Sequence, residues 1–539
     1  MEDTWDLGAG VEEPFGVGDA ECSDSQQRNW RDPSRPRLFV GWEAWVPITV
    51  SGKWCLVGRK SEGVVVVRGW ESRPHGEGPL LHWCTCRGDV IVKSAKASSF
   101  TEAGLVPGLD KVHAFQHGLY RVAKQDGGRR FHSLYDKVSR ADILGRAWVT
   151  VAANGGAPGV DGVTIRDVVD TIGVPVFLDA LSLQLKAKQY RPSALRRVFI
   201  PKPGQVGKQR PLGIPVIADR VVMAAAKIVL EPIFEADFCP VSFGFRPGLS
   251  AINALDMVRV EINRGQMWVL DADVSDCFGQ IDHDALMRLV EVRVSDRSML
   301  RLIRAWLRVG VLEHGSVTAT VSGTPQGSPI SPLLANIALS VLDKEWERSA
   351  RRIGSLIRYA DDFVVVCATK ERAEAARDLA AEVLGRVGLR LHPDKTSIRD
   401  IRQGDDGFDF LGFHHHMVRS FRKLASRFLA RWPSDRAMRS IRLRLREMTD
   451  RRNVGVDLPV IVGRMNLTLT GWGNYFKWGN SYDKFAQIDQ YAHLRLAIWM
   501  SNKHGQRGSG WAGRYNYAWC RNTGLQRVAL MRPVTAHAT

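Results

Sequence analysis

Residues 355–368 read Ser-Leu-Ile-Arg-Tyr-Ala-Asp-Asp-Phe-Val-Val-Val-Cys-Ala, with two adjacent carboxylates, Asp361 and Asp362, set between apolar, partly β-branched runs. Few patterns restrict a backbone this tightly. The flanks favour extended strands, so the pair belongs at or near the tip of a hairpin. Carboxylates one residue apart repel, and at the edge of an apolar sheet they are costly without a counter-charge. Arg358 is the only cation within the segment. A divalent cation is the natural counter-charge, and hard oxygen ligands suit Mg²⁺. An arbitrary Asp-Asp pair is more often a solvated turn. The rest of the chain decides between these readings.

At 539 residues the chain exceeds one hydrophobic core, and its 45% apolar content supports folding through most of its length. The net charge of +18 points to a polyanionic partner. That charge is uneven: Glu2, Asp3, Asp6, Glu12, Glu13, Asp19, Glu21 and Asp24 stand in residues 1–27 with no Lys or Arg. Residues 1–36 therefore read as an acidic, disordered leader. No apolar run approaches 18 residues, so no membrane span is expected. The acidic start lacks the basic region of a secretory signal. Eight scattered cysteines do not form a disulfide framework, which points to a reducing cytoplasm.

Residues 37–110 include short alternating runs rich in Val, Trp and Gly, such as Gly63-Val-Val-Val-Val-Arg68, and read as a small β-rich module. Helical patterning follows to Asn154, then the loop Gly155–Gly162, helical spacing over 175–190 and a strand at Arg197–Ile200. Residues 200–215 form a hairpin-like loop carrying Lys202, Lys208 and Arg210, and 217–237 are apolar at helical spacing. Residues 266–274 make a strong strand; helices are expected at 330–350 and 371–388, on either side of the Asp-Asp hairpin. This order suits an antiparallel sheet backed by helices. From 417 to 452, twelve Arg or Lys stand against three acids around a Leu/Phe/Ile stripe. The segment reads as a basic helix that contacts nucleic acid.

The 266–274 strand ends in Asp271 and Asp273, followed by Phe278. Two metal ions about 4 Å apart need carboxylates from two strands, and one hairpin cannot supply both. Spacing alone does not choose between Asp271 and Asp273.

Tyr359-Ala-Asp-Asp362, Thr324-Pro-Gln-Gly-Ser-Pro-Ile-Ser-Pro332 and Ile200-Pro-Lys-Pro with Arg210-Pro-Leu-Gly-Ile-Pro215 together resemble a reverse transcriptase, most nearly the bacterial group II intron-encoded kind. Arg130-Phe-His-Ser-Leu-Tyr-Asp136, Ser242-Phe-Gly-Phe-Arg-Pro-Gly248, Leu391-His-Pro-Asp-Lys-Thr396 and Phe408-Asp-Phe-Leu-Gly-Phe413 agree with it in order. The resemblance runs from about residue 115 to the C-terminus. It implies an α+β right-hand polymerase fold: fingers and palm over 111–415, a helical thumb or maturase domain over 416–500, and a basic tail over 501–539.

The family pattern of Asp, four residues, then an aromatic selects Asp273 with Phe278. By the resemblance, Asp273, Asp361 and Asp362 are catalytic. The two Mg²⁺ ions would be held by Asp273 and Asp361 with the Val274 carbonyl, and Asp362 would assist. Phe278 is the expected steric gate against a ribose 2′-hydroxyl. Gln326 and Gly327 would border the nucleotide, Lys202 and Arg210 would clamp its triphosphate, and Lys395 would lie near the leaving phosphate. Arg246, Arg422, Lys423, Arg427, Arg431, Arg439 and Arg442 are expected RNA contacts. Gly471-Trp-Gly-Asn-Tyr-Phe-Lys477 through Tyr491-Ala-His-Leu-Arg495 look like the maturase domain, where aromatics and cations would meet RNA.

Two departures stand out. The family commonly has Asp after the gate aromatic, where this chain has Gly279, and no Cys-x₂-Cys or His-Asn-His cluster of an endonuclease follows the thumb. Target insertion would then draw on host replication or repair factors. The resemblance implies an RNA-directed DNA polymerase that takes dNTPs, an RNA template with a DNA primer, its intron RNA and target DNA. It would work in the bacterial cytoplasm, associated with the nucleoid. The alternatives are a splicing-only maturase, which typically loses the aspartates retained here, and a host-adopted enzyme in phage defence.

Overall fold

The computed structural model describes residues 46–50, 53–59, 65–69, 108–201, 209–313, 316–318, 322–402, 407–420, 427–505 and 511–531. The chain divides into two compact units, Met1–Ser94 and Ala95–Thr539. In the first, β1 (Val46–Val50), β2 (Lys53–Arg59) and β3 (Val65–Gly69) pair as an antiparallel meander. The acidic leader lies outside the described residues.

The second unit is α+β. Its central sheet has the order β11-β6-β10-β9, with β6 at Trp268–Asp273, β9 at Ser355–Tyr359, β10 at Asp362–Cys367 and β11 at Ser397–Asp400, all neighbours antiparallel. The Phe-Val-Val-Val-Cys run of β10 is apolar at every position because both faces of the sheet are covered. Leu270, Ala272, Phe363, Val365 and Cys367 face the main core with the Ile217–Glu235 and Ser331–Glu345 helices. Val269, Ile357, Val364 and Val366 face a second core that reaches Phe408, Phe413, Leu469, Phe485 and Leu496. That second core draws on both sides of residue 415.

A four-stranded sheet of order β5-β4-β7-β8 contains the hairpin of β4 (Leu195–Pro201) and β5 (Gln209–Ile214), with β7 (Val311–Glu313) and β8 (Ser316–Thr318). This is the hairpin-like loop expected at 200–215.

The basic stretch 417–452 is not one helix. β12 (Phe408–Phe410), β13 (Phe413–Arg419) and β14 (Arg427–Pro433) form an antiparallel meander, and the helix begins only at Asp435, running to Met448. The period is two: Phe413, His415 and Met417 are buried between half-exposed His414, His416 and Val418. Pro433 closes β14, and Ser434 caps the helix by accepting the Ala437 amide at 3.3 Å. The Leu458–Phe476 and Tyr482–Lys503 helices complete this part. Among the described residues no single helix is long and apolar enough to cross a membrane.

Candidate active site

The hairpin turn between β9 and β10 places the acids. Tyr359 pairs with Asp362, leaving Ala360 and Asp361 as the two turn residues. Ala360 has φ +58°, the left-handed first position that tight hairpin turns require. On its other edge β10 meets β6 with Asp362 directly opposite Asp273, and Val364 opposite Asp271. Three carboxylates from two strands thus gather at one end of the sheet, and the Val274 amide reaches the Asp361 carbonyl at 3.4 Å.

This end of the sheet carries crowded negative charge. Burial pushes the Asp362 carboxyl up to about 8, aided by Asp271, Asp273 and Asp361. Asp271 rises to about 7, again chiefly through burial, with Arg399 opposing and Asp409 and Asp273 adding. Burial also raises Asp361, with Asp273 adding to the rise and Arg210 and Lys395 opposing it. Asp271 is therefore a half-buried acid and not a freely solvated surface charge.

The counter-charge is not Arg358, whose side chain is fully buried on Asp343. Lys395 instead forms an ion pair with Asp273. The segment that carries Lys395 is tied to β6: His392 N donates to Asp273 O at 2.8 Å and Ser275 N to Arg390 O at 2.9 Å.

Among the described residues, no group of three His, Cys, Asp or Glu side chains is arranged to hold a metal ion unaided. Mg²⁺ in phosphoryl-transfer sites needs less, taking one or two carboxylates and completing its shell with water and substrate phosphate. Asp273 and Asp361, as repelling hard-oxygen donors beside the Val274 carbonyl, fit that requirement.

Phe278 lies on the short Cys277–Gln280 helix, half-buried against the main core. Its backbone is joined to the Pro-Gln-Gly loop: Thr324 N donates to Phe278 O at 2.6 Å and Gly323 N to Ile281 O at 2.8 Å. A Cβ on Gly323 would lie 2.5 Å from the Phe278 carbonyl, so this contact requires glycine. Gln326 accepts the Gly213 amide of β5 through its carbonyl at 2.9 Å, and its buried side-chain Oε1 has no hydrogen-bond partner. Gly327, at φ +105°, is exposed beside it. Phe278, the Pro-Gln-Gly loop and β5 are thus linked by backbone bonds. Arg210 is exposed on β5 and near enough to bias Asp361, whereas Lys202 lies outside the described residues.

No motif or spacing marks Asp276, which sits at φ +38° with a carboxylate oxygen 3.5 Å from Gln326 Nε2. A Cβ on Gly279 would come within 2.2 Å of that carboxylate. The glycine that departs from the family pattern makes room for it.

The expected RNA contacts divide. Arg246 is occupied internally: it pairs with Glu235 at 2.7 Å, donates to the Cys239 and Ser242 carbonyls, each at 2.7 Å, and lies over the Phe238 ring. Arg431 is buried too, paired with Asp256 at 2.8 Å and donating to Trp478 O at 2.9 Å. Neither offers a guanidinium to RNA. Arg442 packs over the Tyr491 ring, half-buried. Arg427 and Arg439 are exposed, as are Arg436, Arg444 and Arg446 beyond those expected. Arg422 and Lys423 lie outside the described residues.

Residues 200–415 match the family model described as reverse transcriptase (RNA-dependent DNA polymerase), and residues 438–519 match that of the group II intron maturase-specific domain. The chain is 35% identical over 347 residues to protein YkfC of Escherichia coli (strain K12), covering 57% of this chain and 88% of YkfC. It is 38% identical over 214 residues to the group II intron-encoded protein LtrA of Lactococcus lactis subsp. cremoris, covering 40% of this chain and 35% of LtrA. An uncharacterized 91 kDa protein in the cob intron of Schizosaccharomyces pombe is 26% identical over 393 residues, 59% of this chain and 48% of that protein. The aligned region is thus about a third of LtrA and about half of the yeast protein.

Proposed function

The chain belongs to the group II intron-encoded family of reverse transcriptases with a maturase domain, RNA-directed DNA polymerases by class; on that premise we propose that it extends a DNA primer on an RNA template and binds its own intron RNA to assist splicing and mobility. The observation that carries the polymerase reading is the register of Asp362 against Asp273 with Asp361 in the adjoining turn. A splicing-only protein has no need of three repelling acids there.

Asp273 and Asp361, with the Val274 carbonyl, would hold two Mg²⁺ ions, which when bound make the primer 3′-hydroxyl more acidic and neutralise the triphosphate and departing pyrophosphate. Asp362, directly opposite Asp273 on β10, would assist as a further oxygen donor at the same end of the sheet. Arg210 reaches towards the triphosphate from the fingers hairpin, and Lys395 stands beside Asp273, where its ammonium can meet the leaving group. Phe278 presents its ring to the sugar and selects deoxynucleotides; Gln326 and Gly327 border the base pair through backbone fixed to Gly213. The exposed arginines of the Asp435–Met448 helix offer phosphate contacts to intron RNA.

Primer extension on an RNA template with Mg²⁺ and dNTPs tests the assignment. The wild type should incorporate nucleotides, and Asp361→Ala should lose roughly 10³-fold or more in rate, corresponding to several kcal/mol of metal-borne charge stabilisation. Equal incorporation by the two proteins would sink it.

A further inference from the structure

We propose that Arg358, Asn336 and Asp343 are positioning residues for polymerisation: a buried polar frame, on the sheet face opposite Asp362, that fixes the backbone of the turn carrying Asp361. The proposal rests on the polymerase reading above.

Arg358 and Asp343 have fully buried side chains. A buried ion pair contributes little net stability, because desolvation offsets most of its Coulomb attraction, and an apolar pair of similar volume would pack there as well or better. Its distinctive contribution is direction. Arg358 Nε donates to Asp343 Oδ1 at 2.7 Å, and its second terminal nitrogen pairs with Asp343 Oδ2. The remaining terminal nitrogen, Nη1, donates to the Ala360 carbonyl at 2.8 Å and to Asn336 Oδ1 at 3.2 Å. The planar guanidinium thus joins the Ser331–Glu345 helix to the turn residue that precedes Asp361. A lysine, as a point charge, could not make all these bonds together.

Asn336 extends the frame. Its Nδ2 donates to the Gly244 carbonyl at 2.8 Å. Gly244 lies against the turn so closely that a Cβ there would be 2.3 Å from Ala360 N and 3.0 Å from its Cα. The segment before it pairs with the outer edge of β9, with Phe243 N donating to Arg358 O and Arg358 N to Val241 O, each at 2.8 Å. The Arg358 guanidinium and Gly244, both held by side chains of the Ser331–Glu345 helix, therefore close on Ala360, whose left-handed φ of +58° is unusual for a residue with a side chain. Because Arg358 stands opposite Phe363 in the register, it points away from Asp362 and touches none of the three acids. It acts on them through backbone alone.

The test is steady-state primer extension by the full chain carrying Asn336→Ala, read with thermal melting. The variant should melt within a few degrees of wild type, keep its KM for dNTP within about twofold, and lose about ten- to a hundredfold in kcat. The Mg²⁺ concentration for half-maximal rate should rise severalfold, because the acids no longer sit where two ions fit, a change that mere loss of stability would not produce. A folded variant with unchanged kcat and unchanged Mg²⁺ response would overturn the proposal. If Asn336→Ala does not fold, Asp343→Asn, which keeps the shape and one acceptor, is measured the same way. Failure of both to fold would equally overturn it, since the frame would then serve folding and not placement. An inactive wild type would instead refute the polymerase reading itself.

Discussion

His415 shows how costly a single polar side chain can be to bury. Its ring is fully enclosed and stacks on Phe408 at 4.8 Å with an interplanar angle of 11°, and neither ring nitrogen has a hydrogen-bond partner. Burial, with the nearby charges of Arg431 and His414, pushes its pKa down to about 3. The unfolded chain, titrating near the ordinary 6.5, takes up a proton that the folded chain refuses. Stability is therefore full above that value and is lost as pH falls towards 3, at about 1.4 kcal/mol per pH unit. His415→Phe should keep the stack and remove this slope. In urea denaturation at pH 7 and pH 5, the wild type should lose about 2 kcal/mol more than the variant; equal losses would refute this account. Residue type and spacing revealed none of it. They mark a histidine, while its lack of partners depends on residues far away in sequence.

At the scale of the element, the Asp435–Met448 helix separates cleanly into two faces. Met438, Ile441 and Leu445 are buried, and Arg436, Arg439 and Arg446 lie on the opposite, exposed face. If those three arginines contact RNA phosphates, replacing all three with Gln should weaken binding most at low salt. The slope of log affinity against log salt should shrink by about 0.7 per lost contact on single-stranded RNA, or about 2 in all; an unchanged slope would remove this helix from the interface. Charge along the chain was legible here, but the fate of each charge was not. Arg246 and Arg431 find Glu235 and Asp256 across long stretches of sequence and turn inward, where counting cations cannot follow them. The same stretch misled as to element type. Its frequent arginines and leucines suit a helix, and the alternation of Phe413, His415 and Met417 is too short to announce a strand without its partners in β12 and β14.

Across the whole molecule, among the described residues, two large cores organise the second unit: one built from residues between Val112 and Leu389, the other from residues between Phe243 and Val528. The hairpin that carries Asp361 and Asp362 was readable locally, because two acids between β-branched runs leave few places to go, whereas the role expected of the pair came from the other motifs in the chain. The choice of Asp273 over Asp271 rested on the family pattern; in the structure both face the same side of β6, and Asp273 is the one that stands opposite Asp362 at the sheet's end. Asn336 went unmarked, and Gly244 entered only as one residue of the Ser242–Gly248 motif, because what each does depends on what it touches. The sheet that bears the three acids has a core on each face, one shared with the Ile217–Glu235 and Ser331–Glu345 helices and one with the Leu458–Phe476 and Tyr482–Lys503 helices. For a lineage carrying this gene, the half that holds the maturase-specific domain is therefore not an accessory to be trimmed. Its removal would bare one wall of the sheet that carries the acids, so the two halves would be inherited, or would decay, together.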